Sequence, residues 1–334
     1  MDSSEILRRY LSGERDFRGT NLTAANLIGA TLVRSNFSGS NLSDASIARA
    51  HLERCFLIEA KLNGAFLYGT NLSFAKLLSS CLIEADLTKS NLQGAQLAKA
   101  DLRGAKLSGA SLRWVSLYRA NLPGVNLCGA NLNGINLRSA NLEGANLNWT
   151  NLNGARLSGA NLKGARLNGV KLQGAWMNGL KLGDIDLSGM ELNEVKLSGA
   201  KLHGADFTGS NLTRSQLRCC DLGDANFQKA NLQQSNLRGG ELIHANLMKT
   251  DLREADLRNA NLSHTNLNLA LLTGADLTGA DLRGAYLWGA DLDGACLRGA
   301  DLRGASLRGA AVIGADLQDA ILDGATMPDG SVRS

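Results

Sequence analysis

Residues 275–309 read ADLTG ADLRG AYLWG ADLDG ACLRG ADLRG ASLRG, seven five-residue units with leucine in the third place of each. Outward from this stretch the register never breaks. From Phe17 to Leu322 every fifth residue is large and apolar, at 62 positions in a row, and Met327 extends the series. A period of five fits neither a helix, with a period of about 3.6, nor an ordinary strand, with a period of about 2. The chain is therefore an internal repeat, and that repeat decides the fold.

Each place in the five-residue unit has its own role. Residues two apart in an extended segment face the same side. The large residue, here called the centre, and the small residue two before it therefore face inward, while the residue between them faces out, as in Ala85-Asp86-Leu87. The two residues after the centre, the first-turn and second-turn residues, are often Ser-Gly, Asn-Gly or Arg-Gly, which is typical of a tight turn. Each unit is thus predicted to be a very short strand plus a corner, stabilised by stacking on its neighbours.

Units such as Ala25-Asn26-Leu27 and Ala300-Asp301-Leu302 resemble the A(D/N)LxX consensus of the pentapeptide-repeat family. The resemblance implies an all-β solenoid, a right-handed quadrilateral parallel β-helix with four pentapeptides, or 20 residues, in each coil. On that basis the repeat makes about 15–16 coils, and a rod roughly 75 Å long if strands are spaced by about 4.8 Å. Residues 20 apart then stack in columns.

The unbroken register predicts a single solenoid over residues 15–327, although 334 residues would ordinarily suggest two domains. Residues 1–14 are expected to form a short capping helix, and residues 328–334 a tail. Ser3 or Ser4 can cap the start of the helix and Gly13 can end it. Such a helix would cover the open apolar end of the first coil.

Composition narrows the class of protein. No two of the six cysteines share a column and no CxxC spacing occurs, so neither a disulfide framework nor a structural zinc site is expected. No stretch is as long as a transmembrane helix, and the N-terminus lacks a signal-peptide core. These features predict a cytoplasmic protein with no cofactor and no membrane partner.

Charge is unevenly distributed along the chain. Residues 101–205 hold 12 Lys and Arg against 6 Asp and Glu, and residues 251–334 hold 7 against 12. Some family members inhibit DNA gyrase by imitating DNA, which carries one negative charge per about 1.7 Å. In this chain Asp281 and Asp301 fall in one column, but Arg283 and Arg303 stand beside them. A solvated face of mixed sign is favoured, and a gyrase- or topoisomerase-binding DNA mimic is the alternative.

The same mixing of signs argues against nucleic acid as a partner, because the basic middle of the chain is interleaved with carboxylates. The carboxylates are Asp184, Asp186, Glu191 and Glu194.

Two sets of residues are candidate partner-binding sites. Arg156, Trp176 and Lys196 are spaced by 20 at outward positions, where a tryptophan between two cations can make cation–π contacts. Tryptophan and arginine are also enriched in interaction hot spots. The alternative is a ladder that only shields one large side chain. Phe74 and Trp114 share a corner column two coils apart and form the second candidate.

A third column, Asp224, His244 and His264, contains residue types that bind zinc or another divalent ion. Three ligands in a straight line make a poor tetrahedral site, so a column of solvated corner residues is the competing interpretation.

The last coil places Ala311, Ile313 and Ile321 at exposed positions of the repeat. Two interpretations stay open. Either the tail at residues 328–331 folds over these side chains, or the coil is a homodimer contact.

No catalytic pattern is present in the sequence, and a convex solenoid offers no deep pocket, so the chain is not expected to be an enzyme. A non-catalytic protein–protein interaction rod with a regulatory role is the leading hypothesis. The ends, EILRRY at 5–10 and MPDGS at 327–331, resemble those of cyanobacterial pentapeptide-repeat proteins. Among these proteins is a regulator that inhibits heterocyst differentiation, and the resemblance implies a regulatory protein partner that the sequence does not name.

Overall fold

A computed structural model describes residues 2–334. The chain forms two compact units, one that ends at Leu172 and one at Gln173–Ser334. Helix α1, Ser3–Leu11, opens the first unit. The remaining β-pairing consists of single-residue bridges. Each five-residue unit contributes one bridged residue, because a corner follows it before the next unit begins.

The bridges have a constant register. In the first unit they run from Asp16↔Asn36 to Asn151↔Lys171, all parallel and all between residues 20 apart. In the second unit the same series runs from Trp176↔Lys196 to Ser306↔Thr326. Four bridges per 20 residues give each unit four sides. Each unit is therefore a quadrilateral parallel β-helix, as predicted, while a single solenoid across 15–327 stays a prediction.

Within each unit, backbone hydrogen bonds join each coil to the next in both directions. The N–H of centre Leu22 donates to the carbonyl of Asn41 over 2.7 Å, and the N–H of Asn41 donates to the carbonyl of Thr20 over 2.9 Å. Inside the coils most of the leucine centres and most of the small residues are buried. Aromatic centres stack in the same way, with the rings of Phe207 and Phe227 4.6 Å apart and nearly parallel.

The corners are all of one kind. The carbonyl of Leu22 accepts from the N–H of Ala25, and only the second-turn residue has a positive φ, which defines a type II turn. All 62 second-turn residues have that left-handed backbone, 33 of them glycine and 29 of them other residues. Arg214, with φ of 58°, replaces glycine without changing the turn. The turns that lack glycine, many of which lie around residues 211–271, are therefore of the same type as the others.

Outward Asn and Asp side chains reinforce the corners. The Oδ1 atom of Asn21 accepts from the N–H of Thr23, two residues on, and the same contact recurs along both units, for example from Arg103 to Asp101. This is the local bond that makes Asn and Asp favourable in turns. It explains why these two residue types dominate the outward position.

Helix α1 covers the first coil, as expected, with Ile6 fully buried. Its N-cap is Asp2 and not Ser3 or Ser4, since Asp2 has the extended backbone and its Oδ1 accepts from the N–H of Glu5 at 2.7 Å. Within residues 2–334, no helix is long and apolar enough to cross a membrane.

The tail turns back on the last coil. Val332 forms an antiparallel bridge with Thr326, and the N–H of Arg333 donates to the carbonyl of Ala325 over 2.9 Å. The tail does not bury the exposed apolar residues of that coil, because Ile313 remains 79% exposed and Ile321 43% exposed.

Candidate functional site

The most distinctive surface of the first unit is the side built on the centres Leu57, Leu77, Leu97 and Leu117. The 20-residue register places several aromatic residues on this side or at its two corners. We call it the aromatic side; its rings are Phe56, Phe74, Trp114 and Tyr118. The predicted pair Phe74 and Trp114 is thus part of a larger surface.

The corner rings are held by the fold itself. Phe74 and Trp114 occupy second-turn positions, and each ring lies over the glycine that occupies the same corner in the next coil. A β-carbon on Gly94 would come within 2.6 Å of the Phe74 ring, and one on Gly134 within 2.7 Å of the Trp114 ring. The missing glycine side chains therefore make room for the rings, which remain about half exposed at 52% and 56%.

Cations lie beside every one of these rings. Lys76 Nζ is 4.9 Å from the centre of the Phe56 ring, and Arg54 Cζ is 6.0 Å from that of Phe74. These separations are within the range of cation–π contacts, about 6 Å. Trp114 and Tyr118 have the same kind of neighbour at 4.6–5.7 Å, namely Arg113, Arg119 and Arg138.

Two of the rings border a shallow open cleft of about 420 Å³. Its lining is Arg34, Arg54, Phe56, Phe74 and Lys76. The five residues come from three successive coils, since Arg34, Arg54 and Phe74 form one corner column and Phe56 and Lys76 form the adjacent outward column. The cleft thus combines two apolar ring faces with three positive charges.

Negative charge is missing from most of the aromatic side. Its sequence segments 73–79, 93–99, 113–119, 133–139 and 153–159 hold six cations and no Asp or Glu. One of the six cations is Arg156, a predicted site residue, which therefore shares this side with Phe74 and Trp114.

The second unit contains the rest of the predicted Arg156–Trp176–Lys196 column. Trp176 and Lys196 form a parallel bridge, and Lys196 Nζ is 5.2 Å from the Trp176 ring. Trp176 is 46% exposed. The predicted contact of Arg156 with Trp176 would join the two units and stays a prediction.

The predicted metal column does not have the geometry of a metal site. The rings of His244 and His264 stack 5.3 Å apart, and Asp224 lies 3.4 Å from the ring of His203. Among residues 2–334, no group of three His, Cys, Asp or Glu side chains is arranged to hold a metal ion. Stacked rings place their nitrogens side by side and do not direct them at a common point, so we do not propose a metal for Asp224, His244 and His264.

Acidic columns of the second unit are paired with arginine. Asp256, Asp281 and Asp301 each accept hydrogen bonds from the arginine two residues later, and these bonds hold the pKa of each carboxyl below its usual range. Arg258 pairs with Asp256 at 2.7 Å and also lies 3.5 Å from Asp276 in the next coil. The expected alternation of sign on this surface is therefore present.

Sequence reasoning missed Phe56 and the three cleft cations. A signal was available, because Phe56 and Phe74 differ by 18 residues, which places an outward residue and a corner residue side by side in adjacent coils. It also missed exposed rings away from this side, of which Trp149 and Trp288 are the largest.

The repeat is recognised by sequence comparison. The family described as "Pentapeptide repeats (8 copies)" matches ten stretches of the chain, each of which overlaps at least one other. They are 16–54, 40–77, 50–88, 80–117, 120–159, 145–184, 177–214, 215–253, 250–289 and 289–324. The chain belongs to the pentapeptide-repeat family, and its fold is the right-handed β-helix of that family. Members of this family are generally structural or interaction proteins and not enzymes.

Several proteins of known structure are similar to this chain. HetL, a pentapeptide repeat protein involved in heterocyst differentiation regulation from the cyanobacterium Nostoc sp. strain PCC 7120, is 27% identical over 100% of both chains, with a TM-score of 0.26. QnrB1, a plasmid-mediated fluoroquinolone resistance protein, is 20% identical over 65% of this chain and 91% of its own, with a TM-score of 0.22. The expected resemblance to cyanobacterial members, including a regulator of heterocyst differentiation, is confirmed. No curated protein matches the chain.

Proposed function

We propose that this chain is a non-catalytic regulatory protein that binds a partner protein through the aromatic side of its first unit. The observation that carries the proposal is the set of four partly exposed rings, each with a cation beside it. Three of them, Phe74, Trp114 and Tyr118, lie in five successive coils whose segments on this side contain no carboxylate. Exposed aromatic residues and arginine are the residue types that dominate binding energy at protein interfaces.

The rigidity of the surface supports a binding role. Phe74 and Trp114 are fixed at corners whose backbone belongs to the repeat, and they lie against glycines that leave them room. A side chain that is ordered before binding loses less conformational entropy when the partner arrives. Trp176 with Lys196 is a second contact point of the same chemistry in the second unit.

The surface does not favour catalysis. The cleft on the aromatic side is shallow and open, whereas active sites are enclosed pockets in which several reacting groups converge. We accordingly propose a binding protein of the cytoplasm without enzymatic activity and without a cofactor.

The charge pattern counts against the alternative, a DNA mimic that binds gyrase. A mimic needs a continuous acidic surface, because duplex DNA carries one negative charge per about 1.7 Å. In the acidic part of the second unit, Asp281 and Asp301 alternate with Arg283 and Arg303, to which they are bonded. The paired aspartates and arginines together give this surface charges of both signs.

A homodimer through the last coil is part of the proposal. Ala311, Ile313 and Ile321 are exposed there, and the tail leaves them uncovered. Light scattering of wild type and of the double variant Ile313→Ser with Ile321→Ser tests it. A dimer that becomes a monomer in the variant supports the contact, and a wild-type monomer at high concentration rejects it.

Partner capture tests the function. Immobilised wild type, Trp114→Ala and Trp176→Ala are each incubated with lysate of the source cells, and retained proteins are identified by mass spectrometry. We expect a protein that is retained by wild type and lost with Trp114→Ala. Gyrase retained equally by all three would favour the DNA mimic, and retention of no specific protein would contradict a binding function.

A further inference from the structure

The cleft between Phe56 and Phe74 has a chemistry that identifies the kind of partner segment it would bind. We infer that it binds an acidic polypeptide segment in which carboxylates flank an aromatic or aliphatic side chain. The inference rests on the proposed function, which it deepens by naming the partner's chemistry.

The three cleft cations lack acidic partners. None of the ion pairs within residues 2–334 includes Arg34, Arg54 or Lys76. The reason is local. An arginine at a first-turn position reaches the outward aspartate two residues before it, as Arg103 reaches Asp101 at 2.8 Å. The cleft cations occupy second-turn and outward positions, where the repeat supplies no such neighbour.

The nearest carboxylate in the sequence, Glu53, forms no ion pair with these cations. Glu53 precedes Arg54, but its Oε1 accepts a hydrogen bond from Asn71 at 2.6 Å and lies 3.2 Å from the His51 ring. The lining of the cleft therefore has three cations and no carboxylate, and a carboxylate ligand would supply the charge-assisted hydrogen bonds that the chain itself does not.

The rings orient the cations and leave their hydrogen-bond donors for a ligand. Lys76 lies over Phe56 at 4.9 Å, and the Arg54 guanidinium is 6.0 Å from the Phe74 ring. When a guanidinium stacks on an aromatic ring, its flat face contacts the ring. Its N–H groups point outward from the edge of the guanidinium and can bind a carboxylate in bidentate fashion. The two half-exposed rings supply apolar contact for a side chain between the carboxylates.

Polypeptide fits the cleft better than nucleic acid. The cation columns rise by about 4.8 Å per coil, whereas duplex DNA presents one charge per about 1.7 Å. Single-stranded nucleic acid needs ring faces that are free to stack on bases. The cleft has only two rings and three cations, too few for the run of successive stacked bases that such sites bind. We therefore argue for an acidic peptide and treat nucleic acid as an outcome of the test.

Fluorescence anisotropy with defined probes tests the inference. The probes are a fluorescein-labelled acidic peptide DEFDELDE, its amide counterpart NQFNQLNQ and a labelled single-stranded oligothymidine. The proteins are the wild-type full chain, the double variant Arg54→Gln with Lys76→Gln, and the control Lys61→Gln with Lys106→Gln. The control removes the same charge from other sides of the first unit. Circular dichroism melting verifies that each variant is folded.

We expect wild type to bind the acidic peptide and not the amide peptide. The Arg54→Gln, Lys76→Gln variant should weaken binding at least tenfold, and the control should change it less than twofold. Equal weakening by both variants, or no binding by wild type, overturns the inference. So does tighter binding of the oligothymidine that is lost with the same variant. If the acidic peptide fails while a lysate protein is still lost with Trp114→Ala, the cleft inference is wrong and the proposed function stands.

Discussion

The indole ring of Trp114 lies over Gly134, the residue one coil further along the same corner. Its Cδ1 atom is 2.7 Å from the position that a β-carbon on Gly134 would occupy. Phe74 has the same relationship to Gly94. A large side chain at a corner thus needs a glycine 20 residues later to make room for it. Replacing that glycine should therefore destabilise the repeat wherever an exposed ring lies over it.

The first prediction concerns that glycine. Gly134→Ala should destabilise the protein more than Gly124→Ala, in a comparison of free energies of unfolding from urea denaturation. Both glycines have a positive φ, but a β-carbon on Gly124 would have nothing within 4 Å. The left-handed backbone costs an alanine roughly 1–2 kcal/mol, and overpacking against the indole adds about 1 kcal/mol at residue 134.

A double-mutant cycle checks the cause. In the Trp114→Ala background the extra cost of Gly134→Ala should vanish, since the ring that it meets is gone. An extra cost that persists without the indole would show that the crowding comes from elsewhere.

A second prediction concerns the core. Phe207→Ala should lower the free energy of unfolding by about 3–5 kcal/mol, because it removes a fully buried ring that stacks on Phe227 and leaves a cavity. Phe66→Ala is the control, since Phe66 is half-exposed and its loss should cost about 0.5 kcal/mol or less. Similar losses for the two variants would contradict the assignment of inward and outward positions.

Cysteine reactivity gives a third prediction. Burial raises the pKa of Cys55 to about 12 and that of Cys220 to about 11. Both thiols therefore stay protonated at pH 8, and the thiolate is the reactive form. The exposed Cys219 should be the thiol that reacts fastest with Ellman's reagent in the native protein, ahead of the half-buried Cys81, Cys128 and Cys296. The buried Cys55 and Cys220 should react only after unfolding. If Cys219→Ser leaves the fastest reacting thiol in place, the prediction is wrong.

Acid should lower the stability of the second unit by protonating aspartates that are bonded to arginine. Hydrogen bonds from Arg258 and Arg283 hold the pKa of Asp256 and Asp281 below the unfolded value of about 3.9. Their stabilising contribution is complete above that value and is lost as the pH falls through the lower, folded pKa. The melting temperature should therefore drop as the pH falls from about 5 to about 2. It should drop less in the Arg258→Gln, Arg283→Gln variant, and an equal drop would contradict this origin.

Much of the fold could be predicted from the sequence because the same five-residue pattern recurs along almost the whole chain. The centres fix the inward positions, and pairs such as Asp281 and Arg283 lie two residues apart, so their ion pair follows from local geometry. The N-cap could not be chosen in the same way, since Asp2 and Ser3 are both good caps and the choice depends on which has the extended backbone.

The candidate site was only partly visible in the sequence. Phe74 and Trp114 were found because they share a column, which the 20-residue register reveals. Their neighbour Phe56 lies in a different column, and the cleft that it forms with Phe74 depends on the directions that side chains take at a corner. The stacking of His244 on His264 likewise depends on ring orientation, which spacing alone does not determine.

The central claim is that the aromatic side of the first unit meets a protein partner. Site-directed photocrosslinking in the source cells tests it most directly, with p-benzoylphenylalanine placed at one position at a time. The two positions are Phe74, on the aromatic side, and Phe66, a half-exposed phenylalanine on another side of the same unit. The account predicts a covalent adduct with a second protein from position 74 and none from position 66. An adduct from position 66 alone, or equal adducts from both, would contradict it.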